Sequence, residues 1–189
     1  MKKAQGSLVL IILLVIAFAI ELVTRSVGNE DALLNLGALP DNGELHGEYW
    51  RIATHSFLHF NWLHVIVNVF LLLWIGSIVE QQIGTTQAML IYFVSVLCSA
   101  ALILLVHNWY PKAGATVGAS GGIFGLLGAA LIISYHQKGD DRSRTWLWIA
   151  LSVGFAVSLF PGISMAGHVG GILGGGLTAL VVRIRGNES

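Results

Sequence analysis

Six apolar runs separated by short polar breaks constrain this chain more than anything else in it: Leu8 to Val23, Trp62 to Val79, Ala88 to Val106, Val117 to Tyr135, Trp146 to Phe160 and Ile163 to Val182. About 20 residues rising about 1.5 Å each cross the ~30 Å hydrocarbon layer, and most of the runs approach that length. The fifth is short and could extend into its flanks. Backbone groups inside a bilayer find no water, so such runs must satisfy themselves as helices. The expected fold is an all-α membrane protein, a bundle of six transmembrane helices in one domain over residues 1–189. With 55% hydrophobic and only 11% charged residues, there is too little polar surface for a soluble globule. The net charge is zero without basic or acidic tracts, so no nucleic-acid partner is expected.

The breaks fall at Gln81 to Gln87, His107 to Thr116, His136 to Thr145 and the turn Pro161-Gly162. The one large loop, residues 24–61, mixes acids, glycines, aromatics and Leu33-Leu34, which suits a folded cap at the membrane surface. Retention of positive loops in the cytoplasm sets the orientation. With both termini inside, that side holds Lys2, Lys3, Lys138, Arg142, Arg144, Arg183 and Arg185, against Arg25, Arg51 and Lys112 outside. The start, Met1-Lys2-Lys3 followed by apolar residues and Ala17-Phe18-Ala19, also resembles a cleavable signal peptide; the segment is retained here as the first helix. Cys98 lies in an apolar run and is given no role.

Chemistry is concentrated in three of the helices. The fourth run contains Gly118-Ala119-Ser120-Gly121-Gly122, where glycines leave the serine hydroxyl accessible or, equally, permit tight helix packing. His168 in the sixth run is costly in a membrane unless partnered, and the glycines after it favour contact with another helix. Counted from the outer surface, Ser120 and His168 each lie five residues in, about 8 Å deep by helix rise. His64 and Asn68 bracket that depth on one face of the second helix. Acyl transfer needs these parts: a serine nucleophile, a histidine base with a pKa near neutrality, and donors for an oxyanion, here Asn68, His64 and the Ser120 backbone N–H. Helices four and six carry no acid near the layer, so the pair forms a dyad. Phe124, one turn below Ser120, is placed either to stack on the His168 ring or to serve as ordinary core.

Trp50-Arg51, His64-xxx-Asn68, Gly76-xxx-Glu80-xxx-Gly84, Gly118-Ala119-Ser120-Gly121 and His168-Val169-Gly170-Gly171-xx-Gly174, in this order and spacing, resemble the rhomboid family of intramembrane serine proteases from Glu48 to Gly175. The resemblance implies Ser120 as nucleophile, His168 as general base and His64 and Asn68 at the oxyanion site, supported by Gly118, Gly121, Phe124 and Gly171. It implies a structural loop at Trp50 and Arg51. Glu80, read by itself, is expected to end the second helix at the cytoplasmic face and to bond nearby backbone. Neither metal nor other cofactor is expected. Implied partners are the lipid bilayer and membrane-protein substrates, cut at or near the outer end of a transmembrane helix after a small residue. The implied location is the cell (inner) membrane, with a site opening to the extracytoplasmic side. Gly167 stands where the family commonly has Ala, and no seventh helix is seen, which suggests the minimal bacterial form.

His55 and His59 have helical metal-ligand spacing, but without an intervening Glu or a third ligand they are expected to be structural. Trp50 and Arg51 also suit interfacial anchors. The turn Pro161-Gly162-Ile163-Ser164 and the fifth helix are the candidate gate. Two other functions use similar residues: a small transporter or channel, which would want matching short segments in two halves, and an inactive relative that binds transmembrane helices.

Overall fold

The first helix explains what surrounds the protein. In a computed structural model covering residues 4–111, 114–136 and 141–186, α1 (Gln5–Val23) buries Leu10, Leu14 and Phe18. It turns Leu8, Val9, Ile12, Val15, Ile16 and Ile20 outward. A continuous aliphatic face of this kind is at home only against lipid. There follow α2 (Glu30–Leu36), α3 (Arg51–Thr54), α4 (Trp62–Leu71), α5 (Ser77–Ile83), α6 (Thr85–Trp109), α7 (Ser120–His136), α8 (Asp141–Val157) and α9 (Met165–Gly186). A π-helical turn, Leu72–Gly76, joins α4 to α5 into one rod. Lys2, Lys3, Lys112, Lys138 and the side chains of Arg183 and Arg185, on which the charge count partly rests, lie outside the described residues.

Among the described residues, Gln5–Val23, Trp62–Ile83, Thr85–Trp109 and Met165–Val182 are long and apolar enough to cross a bilayer. Ser120–His136 is apolar but shorter, and α8 opens on charged residues. Among the described residues the helical architecture has one small departure: β1 (Leu39–Pro40) pairs antiparallel with β2 (Ala115–Thr116).

Central in the bundle is α7, every residue of which from Gly121 to Leu131 is buried. It packs against α6 and α9, which also pack directly on each other, with α8 on a further side. A Cβ on Gly171 would overlap the carbonyl oxygen of Gly121, and one on Gly175 that of Gly125. The backbones of α7 and α9 therefore touch, as small-residue faces allow in a membrane where dispersion contacts replace hydrophobic driving force.

Residues 24–61 fold as a cap. Leu33, Ala38 and Leu58 form a small core joined by Val117. Arg51 donates to the carbonyls of Leu34 and Ala38 and pairs with Glu48, so one guanidinium closes the loop's turns. Trp50 beside it is exposed, as an interfacial anchor would be. The β1–β2 pair then ties the cap to the segment leading into Ser120.

Several helix bounds differ from the sequence expectation. The break at Gln81 to Gln87 shrinks to Gly84, whose φ of +87° turns the chain in one residue before α6 starts at Thr85. Val117 to Ala119 is not helical, because Gly118 N–H bonds the His55 carbonyl at 2.9 Å and holds the segment against the cap. The fifth helix begins earlier, at Asp141, whose carboxylate suits a helix N-terminus and pairs with Arg144, and it ends at Val157 rather than Phe160. Glu80 does not end its helix, which continues to Ile83. Its carboxylate accepts from Gly6 N (2.8 Å), Ser7 N (3.0 Å), Ser7 Oγ (2.9 Å) and Thr85 Oγ1 (2.6 Å), capping the otherwise unpaired first turn of α1 from 73 or more residues away.

Candidate active site

Ser120 is the first residue of α7, where the opening amides of a helix have no carbonyl four residues back to bond. Gly118 delivers the chain to this point with φ of +130°, and a Cβ there would lie 2.7 Å from His64 Nε2. Glycine is thus needed twice, for the backbone conformation and for the space that brings His64 against the serine loop.

From α9, His168 Nε2 lies 2.9 Å from Ser120 Oγ. Its ring is buried and lies parallel to Phe124, centroids 3.9 Å apart at 6°. Phe124 therefore does both things that the sequence left open, stacking on His168 and filling core. The other ring nitrogen, Nδ1, lies 2.5 Å from the hydroxyl of Ser158, just past the end of α8. Phe155 of α8 packs edge-on against Phe124, with centroids 5.9 Å apart.

Across from this pair stands α4. Asn61 caps its start by accepting from His64 N at 2.9 Å. Asn68 is buried, and among the described residues its Nδ2 has no hydrogen-bond partner, so a donor is held in reserve. The His64 ring packs edge-on against His59 with centroids 5.0 Å apart. His59 is wholly buried; its backbone N–H donates to the Glu21 carboxylate at 3.0 and 3.2 Å. Burial, reinforced by nearby His64, pushes the His59 pKa down to about 3, and burial takes His55 to about 4. Both are neutral at physiological pH. His55 bonds the Arg51 carbonyl through Nδ1 at 3.0 Å. Among the described residues no three His, Cys, Asp or Glu side chains converge to share a metal.

The structure thus brings Ser120, His168 and Phe124 into contact and sets His64 against Gly118. Gly121 and Gly171 lie at the α7–α9 crossing, while Arg51 bonds within the cap, Glu80 bonds the start of α1, and Trp50 is exposed. Ser120 opens its helix instead of lying five residues down one, so the rise from residue 115 does not measure its depth; the level match survives because the side chains meet. Two residues outside the sequence motifs join this neighbourhood, Ser158 and Glu21. Glu21 is the one acid in α1, and an ionisable group in an apolar helix is a signal in itself. Ser158 offered no signal beyond a hydroxyl four residues after Gly154.

Residues 46–185 match the family described as "Rhomboid domain". The chain is 33% identical over 153 residues to "Rhomboid protease GluP" of Bacillus subtilis, covering 78% of this chain and 29% of that protein. It is 32% identical over 158 residues to "RHOMBOID-like protein 1" of Arabidopsis thaliana (81% and 40%). With "Rhomboid protease GlpG" of Haemophilus influenzae it shares 28% identity over 178 residues, covering 91% and 89%. The chain therefore spans less than half of the first two relatives and most of the third.

Proposed function

The chain belongs to the rhomboid family, and from that premise we propose that it is an intramembrane serine endopeptidase acting on membrane-protein substrates. Four apolar helices of spanning length and family membership make it a multi-pass membrane protein. The finer topology we propose is six spans, counting α7 and α8, in a single domain with both termini cytoplasmic. The site then opens to the extracytoplasmic side of the cell (inner) membrane. The observation that carries the function is the 2.9 Å contact of Ser120 Oγ with His168 Nε2.

In the proposed reaction Ser120 Oγ attacks the peptide carbonyl carbon while its proton passes to His168 Nε2. Negative charge developing on the carbonyl oxygen is met by the Ser120 backbone N–H, the free Asn68 Nδ2 and His64. The C–N bond breaks as His168 gives its proton to the departing amine. Water then attacks the acyl ester, handing a proton to His168, and the ester C–O bond breaks with that proton returned to Ser120. Stacking on Phe124 keeps the ring in one plane throughout.

A fluorophosphonate probe on detergent-solubilised protein tests the proposal. Wild type labels; Ser120→Ala does not, and His168→Ala labels far more slowly. A folded wild type that never labels defeats the peptidase reading and favours a transporter or an inactive helix-binding relative. Labelling that survives Ser120→Ala misplaces the nucleophile. Separately, Asn68→Ala and His64→Ala each lower kcat by about 10²- to 10³-fold with KM little changed, as loss of a donor used only in the transition state requires. Steady-state kinetics on a transmembrane peptide in liposomes check this, and an equal rise in KM would assign both residues to substrate binding instead.

A further inference from the structure

We infer that Ser158 is a positioning residue for His168, whose hydroxyl oxygen holds the imidazole in the tautomer with hydrogen on Nδ1 and a bare Nε2 facing Ser120. The inference rests on the peptidase reading for its consequence in catalysis, and on hydrogen-bond accounting for its geometry.

Ser158 Oγ lies 2.7 Å from the carbonyl oxygen of Gly154 and 2.5 Å from His168 Nδ1. A carbonyl oxygen only accepts, so that contact takes the single hydroxyl proton and leaves Ser158 Oγ as an acceptor towards Nδ1. Two lone pairs at 2.5 Å would repel; the short contact requires Nδ1 to carry hydrogen. A neutral imidazole has one N–H, which leaves Nε2 as the acceptor, 2.9 Å from the Ser120 hydroxyl that it must deprotonate. The reverse tautomer would point a proton at Ser120 and could not act as base.

The site is built for this arrangement. Ser158 is buried at 5% exposure, and its own N–H also bonds the Gly154 carbonyl at 3.0 Å, which holds the side chain over the last turn of α8. Gly154 has no Cβ, and one there would overlap the Phe124 ring. The same turn therefore makes room for the ring stacked on His168 and supplies the hydroxyl at its edge. In hydrolases with a Ser-His-Asp triad a carboxylate stands at this position and fixes the tautomer. Here a neutral hydroxyl, polarised by the carbonyl behind it, does so without the cost of burying a charge.

Ser158→Ala should lower kcat by about 10-fold or more at unchanged KM, while Ser158→Thr, which keeps the hydroxyl, should restore most of the rate. The second readout needs no substrate: ¹⁵N NMR of ring-labelled histidine in detergent, with the His168 signals assigned by their loss in His168→Gln. Wild type and Ser158→Thr should show hydrogen on Nδ1, and Ser158→Ala a shift towards hydrogen on Nε2. Wild-type His168 carrying its proton on Nε2 overturns the inference, and this single measurement decides even if Ser158→Ala fails to fold. A Ser158→Ala protein with wild-type tautomer and kcat overturns it as well. Should wild type prove inert towards every peptide and probe, the peptidase reading fails, while the tautomer and its dependence on Ser158 remain measurable.

Discussion

Ser120→Ala and His168→Ala should each reduce hydrolysis of a transmembrane peptide by about 10⁴-fold or more in kcat, and the double variant should be no slower than either single one. The reason lies in the shared proton. Ser120 is inert as a nucleophile at neutral pH until Nε2, 2.9 Å away, accepts its hydrogen, and His168 has no proton to give the leaving amine unless Ser120 has supplied it. Two groups that work only through each other lose everything with the first deletion. Neither variant should unfold, since Ser120 is only partly buried and Phe124 continues to fill the core beside a shortened His168. Initial rates in liposomes, with helicity and thermal unfolding as controls, measure this. Additive losses in the double variant would mean that the two residues act on separate steps, and the proposed dyad would have to be abandoned.

The largest effect on stability is expected at the α7–α9 crossing. Gly171→Val should destabilise the protein by about 3 kcal/mol or more, or prevent folding, because even a Cβ at this position meets backbone, the carbonyl oxygen of Gly121, and not the yielding end of a side chain. The helices would have to separate, which also loosens the seat of His168 one turn earlier on α9. As a comparison, Gly162→Ala should matter much less in packing terms, since nothing lies within 4 Å of a Cβ there; its φ of +84° leaves only local strain, about 1 kcal/mol. Thermal unfolding in detergent distinguishes the two. Equal losses would show that the crossing can relax, contrary to the close contact of the backbones.

Much of this arrangement was legible from residues alone, and the particular cases show why. Apolar runs announce helices because the bilayer leaves the backbone no other partner, so α1, α6 and α9 could be located to within a few residues. Gly118-Ala119-Ser120, His168 and the His64–Asn68 pair could be grouped because side chains and spacing of that kind have few other uses together. Bounds were less secure where tertiary contacts compete with helix formation. Val117 to Ala119 looks helical by composition, yet the His55 carbonyl claims Gly118 and the β1–β2 pair holds the two residues just before it. Glu80 looked like a local cap and proved to be the cap of α1 instead.

What the sequence determined by itself was the solvent, the helices and the identity of the polar residues inside them, since hydrophobicity and backbone hydrogen bonding act within each segment. Only the tertiary structure decided which of those polar groups meet. Ser158 shows the distinction: 10 residues from His168 along the chain, it reaches Nδ1 because Gly154 lets α8 close over Phe124. Distances of that kind depend on how nearly two helices approach, and that approach is set by the volumes of side chains far apart in sequence and adjacent only after folding.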